Sequence, residues 1–433
     1  MRIEIVTIGD ELLLGHTIDT NGAHLARELA AVGISVVRRA TVGDEAHEIA
    51  ATVGEALARS GAVITTGGLG PTADDLTKPA VATLFGRGMV LDEEHLRWME
   101  ERWRTLFQRA LPASNRAQAM LPEGARKLVN RHGSAPGIWL EDDARRWVAM
   151  LPGVPREMRG MLADTLLPLL RERAGEGSGV VRSRTLRTTS VAESALADRL
   201  GDLARGPEGL SLAYLPGQEG TDLRLTARGL PAEATDAVLA RGVATLRARV
   251  GAFAYGEDAA DLAALVLDEA RAAGHTIAVA ESCTGGLLGA RLTSVAGSSD
   301  VVLGGVIAYA NAVKVAQLGV DPAEIEARGA VSEEVARAMA DGVRPRFGAT
   351  IGVGITGVAG PGGGSADKPV GTVWIAVSVG AVRRASRNVF VGDRAEIRFR
   401  ATQFALDMLR RVLRGEEPVR GFGAPDGHAP APR

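Results

Sequence analysis

Cysteine is almost missing from this chain. Cys283 is the only one, which excludes an intrachain disulfide framework and fits a reducing compartment. Lysine is scarce as well: of 50 basic residues only Lys78, Lys127, Lys314 and Lys368 are lysines. In a chain that has drifted this far toward arginine, a retained lysine suits a task guanidinium cannot perform, such as losing its proton to act as a base. Histidine occupies seven positions and aromatic residues make up 4%. No apolar run reaches the length of a membrane span, and residues 1–6 lead straight into a strand pattern, so neither a membrane segment nor a signal peptide is expected. The formal net charge of −2 gives no electrostatic case for a nucleic-acid or membrane partner. A cytoplasmic location is the expectation.

What is present is enough for more than one core, since 433 residues exceed an ordinary single domain. In residues 1–170, apolar runs at 3–8, 34–37 and 62–66 alternate with helical patterns near 20–32, 44–60 and 74–85, as in a βαβ-type parallel sheet. More helices follow over 92–170, with an excursion around 130–137. Residues 171–179, charged and glycine-rich, read as a linker. Residues 180–255 read as a small α+β module, in which Leu223, Leu225 and Ala227 alternate with Asp222, Arg224 and Arg228 along one strand. Its Gly-x-x-Gly strings at 206–209 and 217–220 fall at helix-to-strand and strand-to-strand junctions. Turns are the better reading there than an RNA clamp, which sits between two helices. Residues 256–415 return to α/β, with a helix at 259–273, strands at 276–280, 301–308, 349–355 and 370–379, and a closing helix at 393–413 that turns Ile397, Phe404, Met408 and Val412 inward. A Pro-, Gly- and Ala-rich tail at 416–433 is expected to be disordered.

Polar residues gather at the strand ends of the last α/β region. The strand at 276–280 runs into Glu281-Ser282-Cys283-Thr284-Gly285-Gly286 and then an amphipathic helix, placing a hydroxyl and a thiol in a tight turn at a helix N-terminus. Unpaired amides there suit an anion or a developing oxyanion, and the hydroxyl suits acyl transfer. A serine needs a base. His275 lies at the opposite end of the strand, whereas Lys314 follows another strand and can have its pKa lowered by desolvation. Tyr309 is placed to orient a proton, and Thr356 in its glycine-rich loop, with Arg394 at a helix start, can cradle a phosphate. The plainer alternative makes Ser282 and Thr284 helix caps and Lys314 a surface lysine.

This region closely resembles the CinA carboxy-terminal family, the nicotinamide mononucleotide deamidases. The resemblance rests on Ala280-Glu281-Ser282-Cys283-Thr284-Gly285-Gly286, Gly297-Ser298-Ser299, Tyr309 with Asn311 and Lys314, Gly329-Ala330-Val331-Ser332-Glu333, Gly357-Val358-Ala359-Gly360-Pro361 and Lys368-Pro369-Val370-Gly371-Thr372-Val373. It implies metal-free hydrolysis of the carboxamide with ammonia release, without a cofactor. Ser282 would be the nucleophile and Lys314 the general base, with Tyr309, Thr356 and Arg394 assisting. Thr284, Gly285, Gly286, Asn311, Gly357, Gly360 and Lys368 would line the substrate. Ala310 stands where the family commonly has serine. Cys283 is the alternative nucleophile.

In the first region Asp10 and Glu11 follow the first strand. Gly67, Gly68, Gly70, Thr72, Asp74, Asp75 and Lys78 follow the third. The glycines allow close backbone approach, and Thr72 or Asp74 can cap the next helix. Asp10, Glu11, Asp74 and Asp75 are oxygen donors of the kind a hard divalent cation takes against a pyrophosphate. Asp44 either joins them or caps its own helix. These segments, with Asp19-Thr20-Asn21, Asn115-Arg116-Ala117-Gln118-Ala119 and Pro152-Gly153-Val154-Pro155-Arg156-Glu157-Met158, resemble the molybdopterin-binding fold and the CinA amino-terminal domain. With a KH-like middle module, the resemblance spans residues 1–415. It implies two α/β domains joined by a small α+β module, a divalent-metal-dependent ADP-ribose pyrophosphatase in the first, small-molecule nucleotide substrates and a homodimer. The alternative of another class is a non-catalytic pterin- or nucleotide-binding protein linked to competence.

Overall fold

The computed structural model describes residues 1–174 and 180–419, which divide into two compact units. The first comprises Met1–Arg182 with Ala227–Ala237. Its six-stranded sheet runs in the order Ser35–Val42, Arg2–Ile8, Ala62–Thr66, Trp147–Leu151, Gly137–Glu141, Arg126–Leu128. The first four strands are parallel, as the alternating pattern predicts. Alternation along each strand feeds two cores. Ile3, Ile5 and Ile64 face Leu25 and Leu29 of the helix Thr20–Ala31, while Val6, Ile8 and Val63 face Ile49 and Val53 of Ala46–Ser60. The parallel pattern ends at the far edge, where Gly137–Glu141 pairs antiparallel with Trp147–Leu151. Only a tight turn separates them, with Arg145 at φ 62° and Asp142 accepting from the Arg146 amide. A connection that short cannot make a parallel crossover.

In the second unit, Ser183–Thr226 with the chain from Val238 onward, a five-stranded sheet runs Val302–Ile307, Ile277–Glu281, Ile351–Gly357, Thr372–Val379, Val382–Val389. The first three strands are parallel and the last two antiparallel. Ile277 and Val279 pack with the helices Leu262–Ala272 and Arg394–Leu413, whereas Ala278 and Ala280 turn to Glu333–Phe347. That second face is built for close approach: a Cβ on Gly352 would lie 1.9 Å from the Ala340 carbonyl oxygen. The strand Val382–Val389 escapes a pattern reading because Arg383, Arg384 and Arg387 interrupt it. It is an edge strand, where charge is favoured against edge-to-edge pairing.

A four-stranded sheet of Ser211–Pro216, Thr221–Leu230, Val180–Thr188 and Ala254–Glu257 forms the α+β module. Residues 217–220 are the turn between its first two strands, closed by Gly217 N–H donating to the Gly220 carbonyl over 2.8 Å. The expected linker and tail need adjustment. Residues 171–174 belong to the helix Leu167–Ala174, and 175–179 lie outside the described residues. Of the tail, 416–419 are placed, with Glu417 paired to Arg384 at 2.7 Å, and 420–433 lie outside the described residues. No helix among the described residues is long and apolar enough to cross a membrane.

The closing helix carries more charge inward than its pattern shows. Asp407, Arg410 and Arg411 are all buried. Asp407 Oδ1 accepts from Arg410 Nε and Nη2 at 3.0 and 2.6 Å, and Oδ2 from Arg411 Nε at 2.9 Å. Both guanidinium groups also donate to the Ala252 carbonyl, at 2.5 and 3.0 Å, so one buried carboxylate ties the helix to the 252–254 turn. Asp407→Ala strands two buried cations and is expected to cost roughly 3–5 kcal/mol. The check is the urea midpoint of the second unit, and an unaltered midpoint contradicts it.

Candidate functional site

The strand Ile277–Glu281 is flanked on both sides by parallel neighbours, so the turn after it opens where the carboxyl ends of three strands converge. The helix that follows, Leu287–Thr293, has Gly286 as its N-cap with no side-chain cap. Ser282 and Thr284 are therefore not caps. The helix amides are instead claimed by Glu281, which is buried and whose carboxylate accepts from Gly286, Leu288 and Gly289 at 3.1, 3.0 and 2.8 Å. The expected anion site at the helix N-terminus is thus filled from within. On the other side, Arg398 Nε and Nη2 donate to the Thr284 carbonyl at 3.2 and 2.7 Å. Sequence reading assigned no role to Glu281 or Arg398. The acid directly before Ser282 was a signal; the arginine, 114 residues from its partner, offered none.

A cavity of about 190 Å³ opens beside the turn. It is lined by Ser282, Cys283, Tyr309, Asn311, Lys314 and Thr356, and also by Gly357 and Arg394. With Ala330 and Val331, five parts of the sequence meet there. Thr284, Gly285, Gly286, Gly360 and Lys368 are not in its lining. Gly360 instead accepts from Arg394 Nη1 at 2.6 Å, and Lys368 Nζ donates to the Arg328 carbonyl at 2.6 Å, anchoring the glycine-rich loop. His275 bonds Thr350 at the opposite end of its strand.

Lys314 is 1% exposed, which removes the surface-lysine alternative. It lies in the helix Asn311–Leu318, whose N-cap is Ala310, a residue that offers no capping oxygen. Its Nζ donates to the carbonyls of Ala308 and Tyr309 at 2.9 and 3.3 Å. Two acceptors match the two hydrogens of a neutral amine, leaving the lone pair unspent. Burial pulls the lysine below its ordinary pKa, with the Cys283 sulfur working weakly the other way. Burial pushes the Cys283 thiol up to about 12, so it stays protonated and is the poorer nucleophile. Tyr309 is exposed, and its hydroxyl accepts from Arg394 Nη2 at 3.0 Å. Thr356, buried, donates to the Ala330 carbonyl at 2.7 Å.

In the first unit, Gly67, at φ +113°, admits no side chain: a Cβ would sit 2.1 Å from the Ile8 carbonyl oxygen. The loop beyond it is organised by Asp75, which accepts from the amides of Gly70 and Thr72 at 2.7 and 2.8 Å and from the Thr72 hydroxyl. Neither Thr72 nor Asp74 caps the helix Thr77–Leu84, whose N-cap is Leu76, because Asp75 already holds the loop. Asp44 does not cap its own helix either; its carboxylate accepts from the Asp10 amide at 2.9 Å, and Asp10 accepts from Asp44 at 3.2 Å. Burial, joined by the charges of Asp10, Glu11 and Asp74, holds the Asp44 carboxyl above its usual range. Among the described residues no three His, Cys, Asp or Glu side chains gather as metal ligands. As arranged, Asp10, Glu11, Asp74 and Asp75 do not fit a cation cage.

Lys78 is buried, and its Nζ donates to the carbonyls of Ala117 and Gln118 at 2.5 and 3.4 Å. Burial lowers it from 10.5 to about 8, against the charge of Asp75. A lysine depressed on folding binds fewer protons than in the unfolded chain between pH 8 and 10.5, so stability rises with pH across that window. The full effect is roughly 3 kcal/mol. The thermal midpoint of the first unit should climb between pH 7.5 and 9.5 by several degrees. Lys78→Met should flatten that climb, and a flat wild-type profile would contradict the placement.

Comparison with known proteins agrees over most of the chain. Residues 4–172 match the family described as "Probable molybdopterin binding domain", residues 183–256 the "Damage-inducible protein CinA KH domain", and residues 259–413 the "CinA C-terminal domain". A CinA-like protein of Gemmatimonas aurantiaca is 65% identical over 416 residues, covering 96% of this chain and 97% of the relative. CinA-like proteins of Salinibacter ruber and Gloeobacter violaceus are each 44% identical, covering 95% of this chain and 100% and 96% of theirs. Two α/β domains joined by a KH-like α+β module, together with identity of this extent, make the chain a member of the CinA family.

Proposed function

We propose that the carboxy-terminal domain hydrolyses the carboxamide of nicotinamide mononucleotide to nicotinate mononucleotide and ammonia. The observation that carries this reading is Lys314, a buried amine with two carbonyl acceptors, lining the same small cavity as Ser282. In the first step Ser282 Oγ gives its proton to Lys314 Nζ and attacks the carboxamide carbon, and the carbonyl electron pair moves onto oxygen. As that pair returns, the C–N bond breaks, and Lys314 passes its proton to the departing nitrogen, which leaves as ammonia. Water, deprotonated by Lys314, attacks the acyl-Ser282 ester; the acid departs and Oγ regains its proton. Arg394, held by Tyr309 and Gly360 at the cavity wall, is the cation available to the substrate phosphate. A homodimer acting in the cytoplasm on small nucleotides belongs to the same proposal.

For the amino-terminal domain we infer nucleotide binding, with ADP-ribose hydrolysis as the activity to assay. The glycine loop at the carboxyl ends of parallel strands supports it. No step is routed through a metal, because the acids do not converge on one point.

Ammonia release from nicotinamide mononucleotide by the full chain is the test. Ser282→Ala should lose at least about 10³-fold in turnover, and Lys314→Arg about 10²–10⁴-fold, whereas Cys283→Ala should keep most of it. Activity should fall as acid pH protonates Lys314. Undiminished turnover in Lys314→Arg would overturn the assigned base. Nucleotide binding without ammonia release would favour the non-catalytic alternative.

A further inference from the structure

We propose that Lys368 is a positioning residue for the aromatic ring of the substrate. With two hydroxyl side chains it fixes three successive backbone carbonyls, and so holds Ala330 and Val331 as the wall on which that ring packs. The inference rests on the amidohydrolase reading above and specifies how the cavity recognises the ring that bears the carboxamide.

The wall is a short link. Residues 329–332 join the helix Pro322–Arg328 to the helix Glu333–Phe347, and a helix end leaves carbonyls in need of partners. Here three in a row are claimed by side chains. Lys368 Nζ donates to the Arg328 carbonyl at 2.6 Å, the Ser332 hydroxyl to that of Gly329 at 3.0 Å, and the Thr356 hydroxyl to that of Ala330 at 2.7 Å. Ser332 also accepts from the Val335 amide at 3.4 Å, which ties the link to the next helix. Gly329, at φ +78°, leaves room for the lysine: a Cβ there would lie 3.2 Å from Lys368 Nζ. The lysine is braced from behind. The Ser365 amide donates to the Lys368 carbonyl at 3.0 Å, and Arg387 to the Asp367 carbonyl at 2.6 Å.

Ala330 and Val331 line the cavity and Lys368 does not, so the lysine acts through the wall rather than on the substrate. Gly357 and Ala359 stand in the same lining. These four short, apolar residues suit the flat face of a ring, whereas Ser282 and Lys314 serve its carboxamide and Arg394 the phosphate. Thr356, next to Gly357, supplies the hydrogen bond to Ala330, so the two apolar segments are locked to each other. A loosened wall would still admit the phosphate end of a ligand and would lose its grip on the ring. A lysine that reached the phosphate itself would weaken both ends alike, and one that merely closed a helix would weaken neither.

The test compares Lys368→Met with the wild-type full chain. With nicotinamide mononucleotide, KM should rise about tenfold while kcat stays within about threefold. Ligand-observed NMR titrations then separate ring from phosphate with two probes: nicotinate mononucleotide, which carries the ring, and ribose 5-phosphate, which lacks it. The variant should bind the first about tenfold more weakly and the second within about twofold of the wild type. Equal weakening of both probes would make Lys368 a phosphate ligand and overturn the proposal. Unchanged binding of both, or a loss confined to kcat, overturns it too. If the wild type releases no ammonia, the amidohydrolase reading fails by itself and the titrations still decide. Ring-selective weakening then supports the wall; its absence, including failure of the wild type to bind nicotinate mononucleotide, overturns it. Should Lys368→Met not fold, Thr356→Val frees the Ala330 carbonyl and must show the same ring-selective loss.

Discussion

An amine taken out of water must either be paired or lose its proton, and in the carboxy-terminal domain that constraint falls on Lys314. Among the described residues no carboxylate pairs with its Nζ; two backbone carbonyls accept from it, both from the link between the strand Val302–Ile307 and the helix Asn311–Leu318. Carbonyls can satisfy hydrogens without supplying the charge that would hold the group as an ammonium. The rest of the domain makes that burial possible. A central parallel strand delivers Ser282 to the same cavity, the glycine-lined face brings Glu333–Phe347 against the sheet, and the closing helix brings Arg394 and Arg398 over the turn.

The two charged ends of the closing helix do different jobs. Near its start, Arg394 and Arg398 reach the cavity wall and the Ser282 turn. Near its end, Arg410 and Arg411 share Asp407 and the Ala252 carbonyl. A single rigid element thus connects the module's 252–254 turn with the residues around the cavity. Its buried ion cluster is costly to desolvate, and that cost is offset only by complete pairing.

The amino-terminal domain repeats the lysine arrangement with a different outcome. Lys78 also donates to two carbonyls, those of Ala117 and Gln118, with Asp75 as the charge that opposes its loss of a proton. There the carboxylates are spent on the backbone: Asp75 shapes the loop, and Asp10 and Asp44 exchange amide hydrogen bonds. Asp10 and Asp75, which read in sequence as cation ligands, bond backbone amides in the fold, because a short acid beside glycines meets unpaired amides first.

Period and punctuation in the sequence determined the alternation of strands and helices, the division into α/β and α+β parts, and the strand-end placement of Ser282, Lys314 and Gly67. These features depend on neighbours a few residues apart, which a linear pattern records. Lysine scarcity also singled out Lys314 and Lys78, since composition is visible without a fold. Only the tertiary structure decided the antiparallel strand edges, the burial of both lysines, the retirement of Ser282 and Thr284 as caps, and the roles of Glu281 and Arg398. Each of those depends on which distant atoms claim a given amide, carbonyl or charge. The Arg398–Thr284 grip joins residues 114 positions apart, and no local pattern encodes such a pairing until the chain has closed on itself.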